Sequence, residues 1–110
     1  GQVNVHVMDG IEQRGHWRDY LDRFEAASEE KMRLRMDYAD EAGQQTNRVV
    51  HPLGVWFWGK VWTAVCWCEL REGFRMFRLD RVSALEELDR FRPQKGQTLK
   101  DFYELGAYRR

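Results

Sequence analysis

The sequence predicts a mainly β, α+β domain: a small five-stranded barrel preceded by an N-terminal helix and followed by a short C-terminal helix. Three observations predict it. A helical hydrophobic period near the start gives way at Lys31 to strict alternation. About five short extended segments follow, separated by Gly-, Pro- and Asn-containing turns. The 110 residues are 43% hydrophobic and 14% aromatic, which is apolar surface enough for one buried core in one domain.

The opening "VNVHVMD" alternates apolar and polar residues and reads as a short strand. "DGIE" from Asp9 has the form of a helix N-cap with a carboxylate three residues on. Trp17, Tyr20, Leu21, Phe24 and Ala27 then recur at helical spacing among charged residues, giving an amphipathic helix over roughly residues 12–29. In "KMRLRMDYA" the apolar set Met32, Leu34, Met36 and Tyr38 alternates with Arg33, Arg35 and Asp37, the pattern of a half-buried strand. "DEAGQQTN" is a turn.

"RVVHPLGVWFW" is a second extended stretch, bent at Pro52 and Gly54, because proline cannot donate to a ladder and glycine tolerates a bulge. Gly59-Lys60 joins it to "VWTAVCWCE" as a two-residue hairpin. "LREG" turns the chain into "FRMFRLDR", read as a strand over residues 74–81. "VSALEELDRF" fits either a last strand or a short helix, and Pro93 and Gly96 end it. Thr98 with Asp101 forms a capping pair for a terminal helix carrying Leu99, Phe102 and Tyr103. A bend in the second of five short strands favours a curved barrel over an open sheet.

Lys+Arg and Asp+Glu both number 18, so the formal net charge is zero and a polybasic grip on DNA is not indicated. Any anion site has to come from local clustering. Only four of the basic residues are Lys, and Arg is the side chain suited to bidentate recognition of phosphate or carboxylate; a compositional bias toward Arg explains the same count. No run of about 18 apolar residues is present, so no membrane helix is expected, and no leader peptide is visible. The chain begins at Gly1 rather than Met, which suggests a processed or excised product.

Cys66 and Cys68 face one side of a strand, where a disulfide rarely forms, and read as two buried thiols in a reducing cytoplasm. With His6, His16 and His51 scattered, no metal set, cofactor or catalytic constellation is expected, and an enzyme is not indicated. The chemistry that remains is Arg75, Arg78 and Arg81. They are either edge-strand charges paired with Asp80, Glu69 or Glu72, or an anion pocket beside aromatics such as Trp56, Trp58, Trp62 or Phe77. The tryptophans have a plainer reading as core or rim packing.

Residues 47–82, "NRVVHPLGVWFWGKVWTAVCWCELREGFRMFRLDRV", resemble the core of the WYL domain. The matching features are an Arg before a hydrophobic pair, Pro-Leu-Gly, a Trp-led triplet, Cys-Glu-x-Arg, and a Phe-Arg-x-Phe-Arg-x-Asp-Arg run. With the preceding helix and strand the resemblance covers about residues 12–92, so the domain is placed at 1–92 and a C-terminal helical extension at 93–110. It implies an Sm-like, SH3-type barrel that serves as the effector module of a bacterial transcription regulator and senses a negatively charged ligand, a nucleotide or single-stranded nucleic acid; a cytoplasmic homodimer is expected. DNA would be reached only through a helix-turn-helix domain that does not fit within this sequence. The pocket it implies is Arg48, His51, Trp62, Arg71, Arg75, Arg78 and Arg81, to which the candidate site adds Phe77 from the arginine-aromatic strand and Thr63 from the triplet. The name-giving triplet departs from the family: Thr63 and Ala64 follow Trp62 where Tyr and Leu are usual, which removes an aromatic face and a phenolic donor. The rival reading is an oligomerisation or interdomain module whose arginines pair between subunits.

Overall fold

Helical and alternating hydrophobic periods meet at a single residue. In the computed structural model, which describes residues 17–106, the first helix (α1, 17–30) buries Tyr20, Phe24 and Ala27, spaced to share one face. Lys31 then takes a left-handed φ of 59° and the next residue begins a strand. The strand expected over residues 3–9, the cap at Asp9 and the first residues of the expected helix lie outside the described residues.

Five strands follow: β1 (Met32–Ala39), β2 (Gln45–Trp58), β3 (Val61–Cys68), β4 (Gly73–Arg78) and β5 (Val82–Arg90). They form one antiparallel sheet in the order β4-β3-β2-β1-β5. On β1 the alternation is realised as expected, with Leu34, Met36 and Tyr38 buried. β2 is long because it serves two neighbours in turn. Its first half pairs with β1 up to Leu34–Val50, and from Val50–Cys68 onward it pairs with β3. The register slips between Pro52 and Gly54, at the bend the sequence indicates. Gly54 lets Trp56 fold back over the bend: a Cβ would lie 2.8 Å from that ring and force it to shift. At the β2–β3 hairpin Gly59 has φ +65°, the conformation a two-residue turn needs.

"VSALEELDRF" resolves as strand, with Val82–Arg90 pairing along β1. The expected strand over 74–81 stops at Arg78; Leu79–Arg81 wind into a 3-10 turn that leads from β4 to β5. This turn, rather than a ladder, joins the two edge strands, so the sheet curls around its core as a partly open barrel. The core is closed by Phe24 of α1, Leu34 and Met36, Val50, Ala64, Cys66 and Cys68, and Phe77 and Leu79.

The terminal helix (α2, Leu99–Leu105) opens with the capping box foreseen at Thr98 and Asp101. It packs on the opposite face of the sheet, where Phe102 meets the Phe74 ring edge-on at 5.6 Å and Phe74 meets Trp67 at 5.3 Å. Tyr103 and Trp56 form a further edge contact at 6.1 Å. Trp56, one of the aromatics considered for the anion pocket, is thus used with Trp67 to seat α2.

Phe24 is fully buried at the centre of the helix–sheet contact. Phe24→Ala is expected to lower the unfolding free energy by about 3–5 kcal/mol. Denaturant titration followed by far-ultraviolet circular dichroism measures this, and a loss below about 1 kcal/mol contradicts the assigned helix face.

Candidate functional site

Inward positions on β2 alternate from Arg48 through Val50 to Pro52, so the parity that buries the core also carries one arginine inside. Arg48 is only 8% exposed. Its Nε donates to Thr46 Oγ1 at 3.1 Å and its Nη1 to Cys68 Sγ at 3.8 Å, while the guanidinium carbon lies 5.5 Å from the centre of the Phe77 ring. These partners are neutral. A charge removed from water demands compensation, and a hydroxyl, a thiol and a ring face supply only part of it.

Arg48 opens onto a cavity of about 330 Å³. Arg71 from the β3–β4 turn, Arg75 and Arg78 from β4, and Arg81 from the 3-10 turn line the same cavity, with Tyr38, Met76 and Phe77 forming apolar wall. Asp40 and Glu41 line it as well, although Asp40 Oδ1 is engaged by the backbone N–H groups of Ala42 and Gln44. Tyr38 braces the wall: its hydroxyl accepts from the Arg78 N–H at 3.0 Å, and its ring meets Phe77 edge-on at 4.9 Å. Arg75 Nη1 donates to the carbonyl of Phe74. Arg78 is held bidentately by Asp80, at 3.0 and 2.7 Å, and this pairing raises its pKa further. Among the described residues no carboxylate lies within 4.0 Å of Arg48, Arg71, Arg75 or Arg81.

Six of the nine residues singled out in the sequence therefore surround one cavity: Arg48, Arg71, Arg75, Phe77, Arg78 and Arg81. The other three do not. His51 has the opposite parity to Arg48 and lies on the outer face, where it stacks on Phe91 at 4.5 Å and its Nε2 meets Glu69 Oε2 at 2.7 Å. Trp62 lines a separate groove of about 240 Å³ with Trp17, Phe57, Lys60 and Asp80. Thr63 is buried opposite Arg78 and lines neither. Sequence reasoning missed Tyr38 and Met76. Tyr38 carried a usable signal, since it shares the inward parity of Met36, but its apolar body marked it only as core.

Cys66 and Cys68 are both free thiols buried in the core. Burial first, and then the neighbouring Cys68, push the Cys66 thiol well above its ordinary pKa, so it stays protonated. Among the described residues no group of three or more His, Cys, Asp and Glu side chains is placed to hold a metal ion, and no described helix is long and apolar enough to cross a membrane.

The architecture is thus a curled five-stranded sheet whose inward face ends in an arginine-lined cavity. A family model described as the WYL domain matches residues 19–87, and the chain belongs to that family. The solved structure of Proteasome accessory factor B/C (PafBC) of Arthrobacter aurescens is similar to it, with 28% sequence identity and a TM-score of 0.65. The match covers 73% of this chain and only 13% of that one, so the domain corresponds to a small part of the larger protein. Nothing among the curated proteins matches.

The outer face yields a pH dependence. Arg33 chiefly, and His51 after it, hold the Glu69 carboxyl below its ordinary value of 4.5. A depressed carboxylate contributes stability above the unfolded pKa and loses it as pH falls through the folded one. Wild-type stability should accordingly decline as the pH drops below about 4.5, and Glu69→Gln should flatten that decline by no more than about 1 kcal/mol, since the pair is partly exposed. Denaturant unfolding across this range measures it, and identical slopes for both proteins would contradict the assignment.

Proposed function

We propose that this domain is the effector module of a bacterial transcription regulator and that it senses an anionic ligand, a nucleotide or a short single-stranded nucleic acid, in the arginine cavity. One observation carries the reading: five arginines converge on one hollow, and among the described residues four of them have no carboxylate within ion-pair distance. Scattered structural arginines have the opposite character in this chain. Arg23 is tied to Glu87, Arg33 to Glu69 and Asp89, and Arg35 to Glu86. The WYL family and the PafBC neighbour support a regulatory rather than a catalytic domain.

In this reading Arg75 and Arg48 clamp the anion, Arg71 and Arg81 add attractive field, and Phe77 and Tyr38 limit the depth to which a ligand enters. His51, Trp62 and Thr63, placed elsewhere, act on the ligand only indirectly. DNA binding belongs to a separate helix-turn-helix domain of the whole regulator.

A second reading has its own support. Phe57 and Trp58, at the tip of the β2–β3 hairpin, are 58% and 50% exposed, which suits contact with another domain or subunit. Homodimerisation through this tip is compatible with ligand sensing in the cavity. Sedimentation of wild type and of Trp58→Ser decides it: a dimer weakened by the substitution supports the contact, and a concentration-independent monomer opposes it.

Titration of a labelled short oligothymidylate, followed by fluorescence anisotropy in low salt, tests the anion site. Arg75→Ala is expected to weaken binding by about ten-fold or more, the range for a lost charge-assisted hydrogen bond. Wild-type affinity should also fall steeply as salt is raised. If no oligonucleotide, nucleotide or polyphosphate binds, or Arg75→Ala binds as wild type does, the cavity is not the site.

A further inference from the structure

We infer that Asp80 is a built-in competitor for the arginine cavity, a carboxylate that occupies Arg78 until a ligand displaces it and so sets how strongly anionic a ligand has to be. The inference rests on the anion-site reading and names a residue which that reading leaves out.

The geometry is that of a ligand already in place. Asp80 Oδ1 accepts from Arg78 Nε at 3.0 Å and Oδ2 from Nη2 at 2.7 Å, the two-point grip by which a guanidinium takes a carboxylate or phosphate. Arg78 is the one arginine of the cavity so engaged among the described residues. The pair is local and exposed, with 42% and 48% of the two side chains open to solvent. Such pairs contribute little stability, so exchange of one anion for another costs the fold little. The backbone beneath is fixed, because the Arg78 N–H donates to the Tyr38 hydroxyl. The side chain changes partner while its anchor stays.

Asp80 also has somewhere to go. It lies in the 3-10 turn and lines the neighbouring groove, which holds Lys60. A carboxylate released from Arg78 therefore keeps a cation on the same groove wall. A two-oxygen group such as a phosphate replaces both hydrogen bonds of Asp80, whereas a single-point anion such as chloride replaces one. The competitor accordingly favours phosphate-bearing ligands over simple salt ions.

The experiment is a double-mutant cycle on the full chain with a labelled short oligothymidylate as probe. Asp80→Asn is expected to tighten binding by about two- to five-fold, the worth of an exposed ion pair no longer opposed to the ligand. In an Arg78→Ala background the same change should have almost no effect. Glu41→Gln removes a charge that lines the same cavity without gripping Arg78. Any gain it gives should persist when Arg78 is Ala, which separates general electrostatics from displacement. Asp80→Ser serves as a second neutral variant if the Asn form unfolds. Weaker or unchanged binding by both neutral variants, or a gain that survives Arg78→Ala, overturns the inference. If Arg75→Ala still weakens binding by about ten-fold or more in that case, the anion site stands and only the competitor falls. A probe that binds neither wild type nor Asp80→Asn overturns both.

Discussion

A guanidinium buried on the inner face of a small sheet is the constraint on which the rest of this domain depends. Arg48 sits at a position that the strand period assigns to the core, between Val50 and the cavity, and it is 8% exposed. Its neighbours are a hydroxyl, a thiol and an aromatic face. Burying a charge this way costs several kcal/mol unless an opposite charge comes within reach. A protein selected for stability alone would place Leu or Met there. The fold instead keeps the cation and leaves it facing a hollow shared with four more arginines.

The arginines of the chain divide by location. Those on α1 and on the outer face of β1 serve architecture: Arg23 fastens the helix to Glu87 of β5, and Arg33 bridges Glu69 and Asp89 across the sheet. Edge strand β5 is half-charged on its surface and gains order from these pairs as well as from its ladder with β1. Around the cavity Asp40 and Glu41 line the wall, yet among the described residues four of the five arginines have no carboxylate within 4.0 Å. Aromatic residues divide in a parallel way: Phe24 and Phe77 fill the core, Trp67 and Phe74 seat α2, and Phe57 and Trp58 remain outside. A neutral net charge thus conceals a strongly uneven distribution.

Much of this was legible in the sequence because period and turn chemistry are local. The alternation of Met32 to Tyr38, the Pro52–Gly54 bend, the Gly59-Lys60 hairpin and the Thr98–Asp101 cap all appear where the residues place them. The strand assigned to 74–81 ran three residues too far, since Leu79 satisfies the core from a 3-10 turn as well as it would from a strand. At the site, the arginine-rich run gave Arg75, Phe77, Arg78 and Arg81 of the cavity lining, and the family resemblance added Arg48 and Arg71. Strand parity, had it been applied to β2, would have separated His51 from Arg48. The seat of α2 on Trp67 and Phe74 was not legible, because two remote segments meet there and neither carries a pattern that names the other.

The account stands or falls on whether Arg48 is kept for an anion. Thermal unfolding of wild type and Arg48→Met, in tripolyphosphate and in chloride at matched ionic strength, tests this most directly. The account predicts that Arg48→Met is at least as stable as wild type in chloride, since an apolar side chain of similar length removes a buried charge. It also predicts that the stabilisation tripolyphosphate gives wild type is largely lost in the variant. A variant that is strongly destabilised in chloride yet gains as much from tripolyphosphate as wild type would show that Arg48 is a structural strut and that the cavity's charge serves no ligand.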